Sequence, residues 1–473
     1  MKKNVIQYPN MLKVYTTLLR KKESFKPRKG RKVNLFVCGP TVYDYSHIGH
    51  ARTYIIFDVI VKYLEEKGYD VFYLQNITDI DDKIINRAAE RKTTPEKLAR
   101  DFEKEYLKDM KSLKVDSVDK YARATEHIKE IISQVGRLLK RGFAYEIEDG
   151  IYYDISKFKD YGKLSKRTVL QAEDSISRID ESKSKKNKGD FCLWKFSKPG
   201  EPSWPSPWGK GRPGWHIEDT AITEKYFGSQ YDIHGGARDL IFPHHEAEIA
   251  QMEAVSGKKP LVKYWLHTGF LTVRGRKMAK SLGNFITIRE FLEKDSVRLL
   301  RLLMAKAHYR SPIDYSEEAV AQCRKELARI DEFADKIKSV RTSKQKEKTE
   351  PDVAQYEERF EKAMEDDFNT PKALAVVFDL LNKGNALIAG DDLSYAGAKN
   401  ILNFLKKLDR IFGFISKEKT KEIIPEEIIV LLKEREKYRK EKNWQKADEA
   451  REEIEKKGFR IEDTKEGVKI KKS

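Results

Sequence analysis

The apolar positions of this chain change period from stretch to stretch, and the changes mark its elements. Val33 to Gly39 (VNLFVCG) is a short apolar run closed by Gly-Pro, which predicts a buried strand entering a loop. From His47 onward, Ile55, Ile56, Val59, Ile60, Tyr63 and Leu64 recur at helical spacing up to a turn at Gly68. Asp70 to Thr78 (DVFYLQNIT) predicts a second strand. Strand, helix and strand in this order form the βαβ unit of a parallel sheet, whose ligands sit at the carboxyl ends of the strands.

A charged and largely helical stretch follows from Ile84 to Arg141, and GIYYDIS then indicates an inserted β-rich element. The run KPGEPSWPSPWGKGRPGW is too rich in Pro and Gly for a helix or a central strand and reads as a structured loop. Sheet signals return at YDIHGG and KYWLHTGFLTV, with a helix between them starting near Pro243, so a second βαβ half is expected. Beyond Thr287 the pattern is helical through SVRLLRLLMAKA, AVAQCRKELARIDEFADKI and KALAVVFDLLNKGNALI. A charged tail from Pro425 carries Trp444 and a hairpin pattern, GFRIEDTKEGVKIKK.

The 473 residues imply several domains. Lys and Arg number 94 against 76 Asp and Glu, a net +18 that favours a polyanionic partner or an anionic surface. No stretch reaches the length of a membrane span and the N-terminus lacks the apolar core of a secretory signal, so a cytoplasmic protein without membrane contact is expected. Cys38, Cys192 and Cys323 are scattered and odd in number, which argues against a disulfide framework.

Two short motifs carry chemistry. His47-Ile48-Gly49-His50 stands where a strand loop hands over to a helix, so both imidazoles can reach phosphate oxygens at the helix's positive end, and Gly49 leaves room for a nucleotide base. Lys277-Met278-Ala279-Lys280-Ser281 follows the last strand signal, and its two lysines can clamp a triphosphate. Neither motif means much alone; the pair in this order, on a βαβ framework, resembles the two signatures of class I aminoacyl-tRNA synthetases. Longer blocks, FVCGPTVYDYSHIGHARTY, NITDIDDKII, GEPSWPSPWGKGRPGWHIE, YDIHGGARDLIFPHHEAEIAQ and KMAKSLGN, are similar to the cysteinyl-tRNA synthetase family.

That resemblance implies an α/β fold: a Rossmann-type parallel-sheet catalytic domain with an insertion, followed by helical stem-contact and anticodon-binding domains. Its boundaries are expected at 1–140 and 213–286 for the two catalytic halves and 141–212 for the inserted element. The stem-contact region is expected at 287–345, the anticodon bundle at 346–418 and a small tRNA-binding element at 419–473. Implied catalytic residues are His47, His50, Lys277 and Lys280, with Gly49 and Ser281 also on ATP. Gly39, Thr41, Thr78 and Trp215 line the amino-acid pocket with Asp239 close by, and Cys38, Asp219, His244 and Glu248 hold one zinc ion. Magnesium accompanies ATP, the partners are L-cysteine, ATP and tRNA(Cys), and a monomer is expected.

Two departures from the family pattern are visible: Ala279 stands at a usual Ser, and Asp219 at a usual Cys. Asp keeps the single negative charge of a thiolate and is itself an accepted zinc ligand. His244 and Glu248, four apart behind a proline read as the first helical residue, share one helix face. A ligase joining the adenylate to a small amine would keep these motifs but lack the helical tail. A silent RNA-binding paralogue would lose the phosphate-contacting residues.

Overall fold

The structure, a computed structural model, describes residues 11–167, 184–278, 282–340, 349–415, 426–441, 443–464 and 467–472. Lys280 and Ser281 lie outside the described residues. The backbone forms two compact units, Met1–Ser416 and Lys417–Ser473.

In the larger unit a short hairpin, β1 (Lys13–Thr16) and β2 (Lys21–Ser24), precedes β3 (Lys32–Val37). The run from β3 through α1 (Ile48–Glu66) to β4 (Asp70–Ile77) is the expected βαβ unit, and β3 and β4 pair in parallel. Next come α2 (Asp82–Glu90), α3 (Pro95–Ser112), β5 (Lys120–Arg123) and α4 (Ile128–Lys140). The largely helical reading of Ile84 to Arg141 does not mark β5, which is four mostly polar residues with no apolar run and exists through its parallel pairing to β4.

An antiparallel sheet of β6 (Ala144–Ile147), β7 (Gly150–Tyr153), β8 (Phe191–Phe196) and β9 (Gly211–Pro213) forms the insertion. β9 lies within the Pro- and Gly-rich run, on the edge of the sheet where a proline is tolerated. The chain then returns to the main sheet with β10 (Tyr231–Ala237) and β11 (Val262–Thr268), separated by the helix His244–Ser256. The main sheet has five parallel strands in the order β11-β10-β3-β4-β5. β3 is followed outward on one side by β4 and on the other by β10, so strand order reverses between β3 and β10. In such sheets ligands bind beside that reversal, at the carboxyl ends.

Alternation along β3 fixes what each face meets. Leu35 and Val37 join the core with α1, whereas Phe36 and Cys38 point into a second core with Ile131 and Val135 of α4, Ile217 and Ala247. The segment KYWLHTGFLTV, read as one sheet signal, breaks at Gly269. β12 (Leu271–Val273) leaves the main sheet and pairs with β13 (Arg276–Lys277) and β14 (Ile313–Tyr315). The break is held by the Gly269 amide, which donates to the Tyr309 carbonyl at 2.7 Å.

The helices Val297–Ala305, Glu317–Ser339, Val353–Glu365, Thr370–Ala389 and Tyr395–Phe412 complete this unit. The second of them buries Val320, Cys323, Leu327, Ile330 and Phe333 as one stripe at helical spacing. In the smaller unit the helices Glu426–Lys440 and Trp444–Lys456 precede the antiparallel hairpin of β15 (Phe459–Thr464) and β16 (Gly467–Lys472). Trp444 is exposed there. None of the described helices is long and apolar enough to cross a membrane.

Candidate active site

The first motif builds the end of α1. His47 is its N-cap and Nδ1 accepts from the amides of Gly49 (3.1 Å) and His50 (3.3 Å), while the His47 amide donates to His50 Nδ1 (3.3 Å). This is a capping box made of two imidazoles, whose rings stack with centroids 3.8 Å apart. Burial, then His47 and Lys83, holds the His50 ring well below the usual histidine range, so it is neutral. A Cβ on Gly49 would lie 2.8 Å from the His47 ring, so glycine lets the imidazole fold back over the helix end. Met278 Cε lies 3.3 Å from the same point, which brings the residue after Lys277 against the motif.

Cys38 follows β3 directly and faces a buried group of donors. Its Sγ lies 3.1 Å from His245 Nε2, 3.4 Å from His234 Nε2, 3.5 Å from Asp219 Oδ2 and 4.0 Å from Glu248 Oε1. His244 Nε2 is 3.0 Å from Asp219 Oδ2 and 3.3 Å from Glu248 Oε1. All four expected metal residues therefore meet. One ligand atom each from Cys38, His244, His245 and Glu248 lies within 4.8 Å of the other three; this tightest set holds His245, which the sequence reading did not propose, and not Asp219. His234, His216 and His267 were also missed; the doubled His244-His245 and the histidine inside the strand YDIHGG were the available signals. Pro243, expected as the first helical residue, is instead the N-cap residue of the helix that carries His244 and Glu248.

A second ring of contacts holds the donors. His216 Nδ1 is 2.8 Å from His244 Nδ1, the Tyr231 hydroxyl is 2.6 Å from His234 Nδ1, and His245 Nδ1 is 2.8 Å from His267 Nε2. Burial pushes the Cys38 thiol well up, with Asp219 and Glu248 adding to it, and it raises the Glu248 and Glu218 carboxyls, with Asp219 the next cause. Asp219 Oδ1 and Glu248 Oε2 are buried without a hydrogen-bond partner. Buried acidic groups in such density ionise only with a cation among them.

Four of the expected pocket residues, Gly39, Thr41, Thr78 and Trp215, lie close to this group. The Gly39 amide donates to Asn76 Oδ1 at 2.6 Å, and a Cβ there would sit 1.8 Å from the Asn76 carbonyl oxygen, so only glycine fits. Thr41 and Thr78 face each other as a parallel bridge, and the Thr78 hydroxyl donates to the Glu218 carboxylate. Trp215 stacks on His244 with centroids 4.3 Å apart. Asp239 is placed elsewhere, in the turn after β10, on a cavity that His267 also lines. Cys192 and Cys323 are buried in other parts of the core.

The family model for the class I (C) tRNA synthetase catalytic domain matches residues 24–325, the DALR domain matches 359–416, and the cysteinyl-tRNA ligase anticodon binding domain matches 423–470. The cysteine–tRNA ligase of Thermococcus gammatolerans is 47% identical over 474 aligned residues, covering 97% of this chain and 98% of that protein. Those of Carboxydothermus hydrogenoformans (44%; 98% and 100% covered) and Methanococcus maripaludis (46%; 98% and 99%) are similarly close. Among solved structures, methionyl-tRNA synthetase of Mycobacterium tuberculosis with methionyl-adenylate superposes with a TM-score of 0.60 at 16% identity, over 81% of this chain and 88% of that one. An Agrobacterium radiobacter LeuRS in a ternary complex with tRNA gives 0.62 at 11% identity, over 82% and 84%. The fold is that of these enzymes, and the chain belongs to the cysteine–tRNA ligase family of class I aminoacyl-tRNA synthetases.

Proposed function

We propose that the chain adenylates L-cysteine with ATP and passes the cysteinyl group to the terminal ribose of tRNA(Cys), choosing cysteine through a zinc ion held by Cys38, Asp219, His244 and Glu248. The observation that carries this reading is the buried convergence of those four side chains, with two carboxylate oxygens that accept no hydrogen bond. The donor set of one sulfur, one imidazole and two carboxylates suits zinc. When bound, the metal supplies a Lewis acid that a thiolate satisfies and a neutral alcohol does not.

In activation a carboxylate oxygen of cysteine attacks the α-phosphorus in line, the bond to the bridging oxygen breaks and pyrophosphate leaves. The nucleophile is already ionised, so the chain's task is positioning and charge stabilisation. His47 and His50 donate to phosphate oxygens at the amino end of α1, Lys277 and Lys280 offset charge on the leaving pyrophosphate, and Ser281 and magnesium assist at ATP. Gly39, Thr41, Thr78 and Trp215 orient the amino acid. In transfer, a ribose hydroxyl oxygen forms the ester with the cysteinyl carbonyl carbon as the acyl–phosphate bond breaks; AMP leaves and the hydroxyl proton passes to its phosphate or to water. Cysteine-dependent pyrophosphate exchange, repeated with tRNA to follow charging, tests the reading. Exchange with serine at a comparable rate would overturn the proposed selection.

A further inference from the structure

Activation as proposed brings two anions together, the carboxylate of cysteine and the triphosphate of ATP, and the attack of one on the other is eased by a cation placed where they meet. The two halves of the site set that place. The metal donors position the cysteine side chain, with Trp215 stacked on His244, and His50 at the amino end of α1 receives the phosphates. The carboxylate and the α-phosphorus therefore meet between Trp215 and His50. Lys277 and Lys280 are assigned to the leaving pyrophosphate, at the other end of the triphosphate.

Lys83 stands at the meeting place. It belongs to the first turn of α2, the helix that follows β4 across a connection that also carries Thr78. Its Nζ lies 6.0 Å from the centroid of a Trp215 ring and 5.7 Å from that of Tyr43. Burial is the main cause that holds the His50 ring neutral, and the Lys83 charge is close enough to add to it. One ammonium thus reaches the wall of the amino-acid pocket and the phosphate end of α1 together.

Three details set this lysine apart from an ordinary solvated side chain. The amino end of a helix favours anions, so Lys83 holds its position against the local field. Its acidic neighbours are committed elsewhere: Asp81 caps α2 by accepting from the Lys83 amide at 2.8 Å, and Asp82 pairs with Lys195 at 3.1 Å and with Arg212. Among the described residues, no carboxylate oxygen lies within 4.0 Å of the exposed Lys83 ammonium. An ammonium held over aromatic rings rather than on a carboxylate keeps its three hydrogens for an arriving anion.

We propose that Lys83 is a further catalytic residue, its ammonium contacting the carboxylate of bound cysteine and a non-bridging oxygen of the α-phosphate. As the carboxylate oxygen bonds to the α-phosphorus and the bond to the bridging oxygen breaks, Lys83 offsets the repulsion of the two groups and transfers no proton. This rests on the proposed synthetase reading.

The test uses the full chain carrying Lys83→Met, with Lys83→Arg beside it. In Lys83→Met, cysteine-dependent pyrophosphate exchange should fall on the order of a hundredfold. Affinity for cysteine, measured by calorimetry, should weaken about tenfold, the loss expected when one charged hydrogen bond is removed. Affinity for cysteamine, which keeps the thiol and lacks the carboxylate, should not change. The urea midpoint should not drop, because the lost cation sat at the positive end of a helix, and Lys83→Arg should recover part of the exchange. Near-normal exchange in Lys83→Met would overturn the proposal. Equal weakening toward cysteine and cysteamine, or a lowered urea midpoint, would do so as well by making Lys83 a support for Trp215 instead of a substrate contact. Absence of exchange in the unsubstituted protein would defeat the synthetase reading itself.

Discussion

Arg52 offers the most demanding test of how the site is held. It sits on the buried face of α1, a few residues beyond His47 and His50, and its guanidinium meets only backbone carbonyls: Gly269 (3.2 Å), Met304 (3.4 Å), His308 (3.2 Å), Tyr309 (3.4 Å) and Ser311 (2.7 Å). Burial pushes its pKa down to about 10, so it remains charged at neutral pH. The His308 and Tyr309 carbonyls already accept from the Ser311 and Gly269 amides, whereas those of Gly269, Met304 and Ser311 gain their donor from Arg52. Arg52→Met keeps the aliphatic stem and strands those three acceptors. At about 1–3 kcal/mol each, partly offset by relief of a buried charge, the net loss should be roughly 3 kcal/mol. Arg52→Lys restores a cation that reaches fewer carbonyls and should lose about half as much. Urea unfolding of the full chain, followed by a probe in the larger unit, measures both. A loss below about 1 kcal/mol for Arg52→Met would show that water or relaxation satisfies the carbonyls, and would refute the clamp.

His50→Ala should depress pyrophosphate exchange by on the order of a hundredfold with unfolding unchanged beyond the cost of its cap; near-normal exchange would remove it from the catalytic set. Asp219→Ala should lower metal content measured on protein purified without chelator and relax rejection of serine, and Asp219→Cys should retain the metal; a metal-free natural protein that still rejects serine would return discrimination to pocket shape. Ending the chain at Ser416 should spare cysteine activation and reduce tRNA charging, and in the full chain tRNA affinity should fall steeply with salt. Normal charging by the shortened chain would rule out the terminal unit's contribution.

What the sequence made legible follows its physics. β3, most of β4 and β10 are buried, and their sequences read as strands without help from their neighbours, β3 as an apolar run. β5 and β14 are short, largely polar strands whose existence depends on the partner they pair with, and no local pattern announces such a partner. The site divides in the same way. Cys38, Asp219, His244 and Glu248 are proposed because the family resemblance points to them, and the four-residue spacing of His244 and Glu248 on one helix agrees with it. His245, His234 and His267 act through proximity across three separate strands or helices, which spacing along one segment does not encode.

The capping of α1 by two histidines has a consequence for proton placement. A backbone amide can only give a hydrogen, so His47 Nδ1 and His50 Nδ1, each facing such an amide, must present lone pairs. In a neutral ring the single N–H is then forced onto Nε2. The fold therefore selects that tautomer wherever the ring is neutral, as it is at His50, and reserves the outer nitrogens as hydrogen donors for the phosphate contact proposed for this pair.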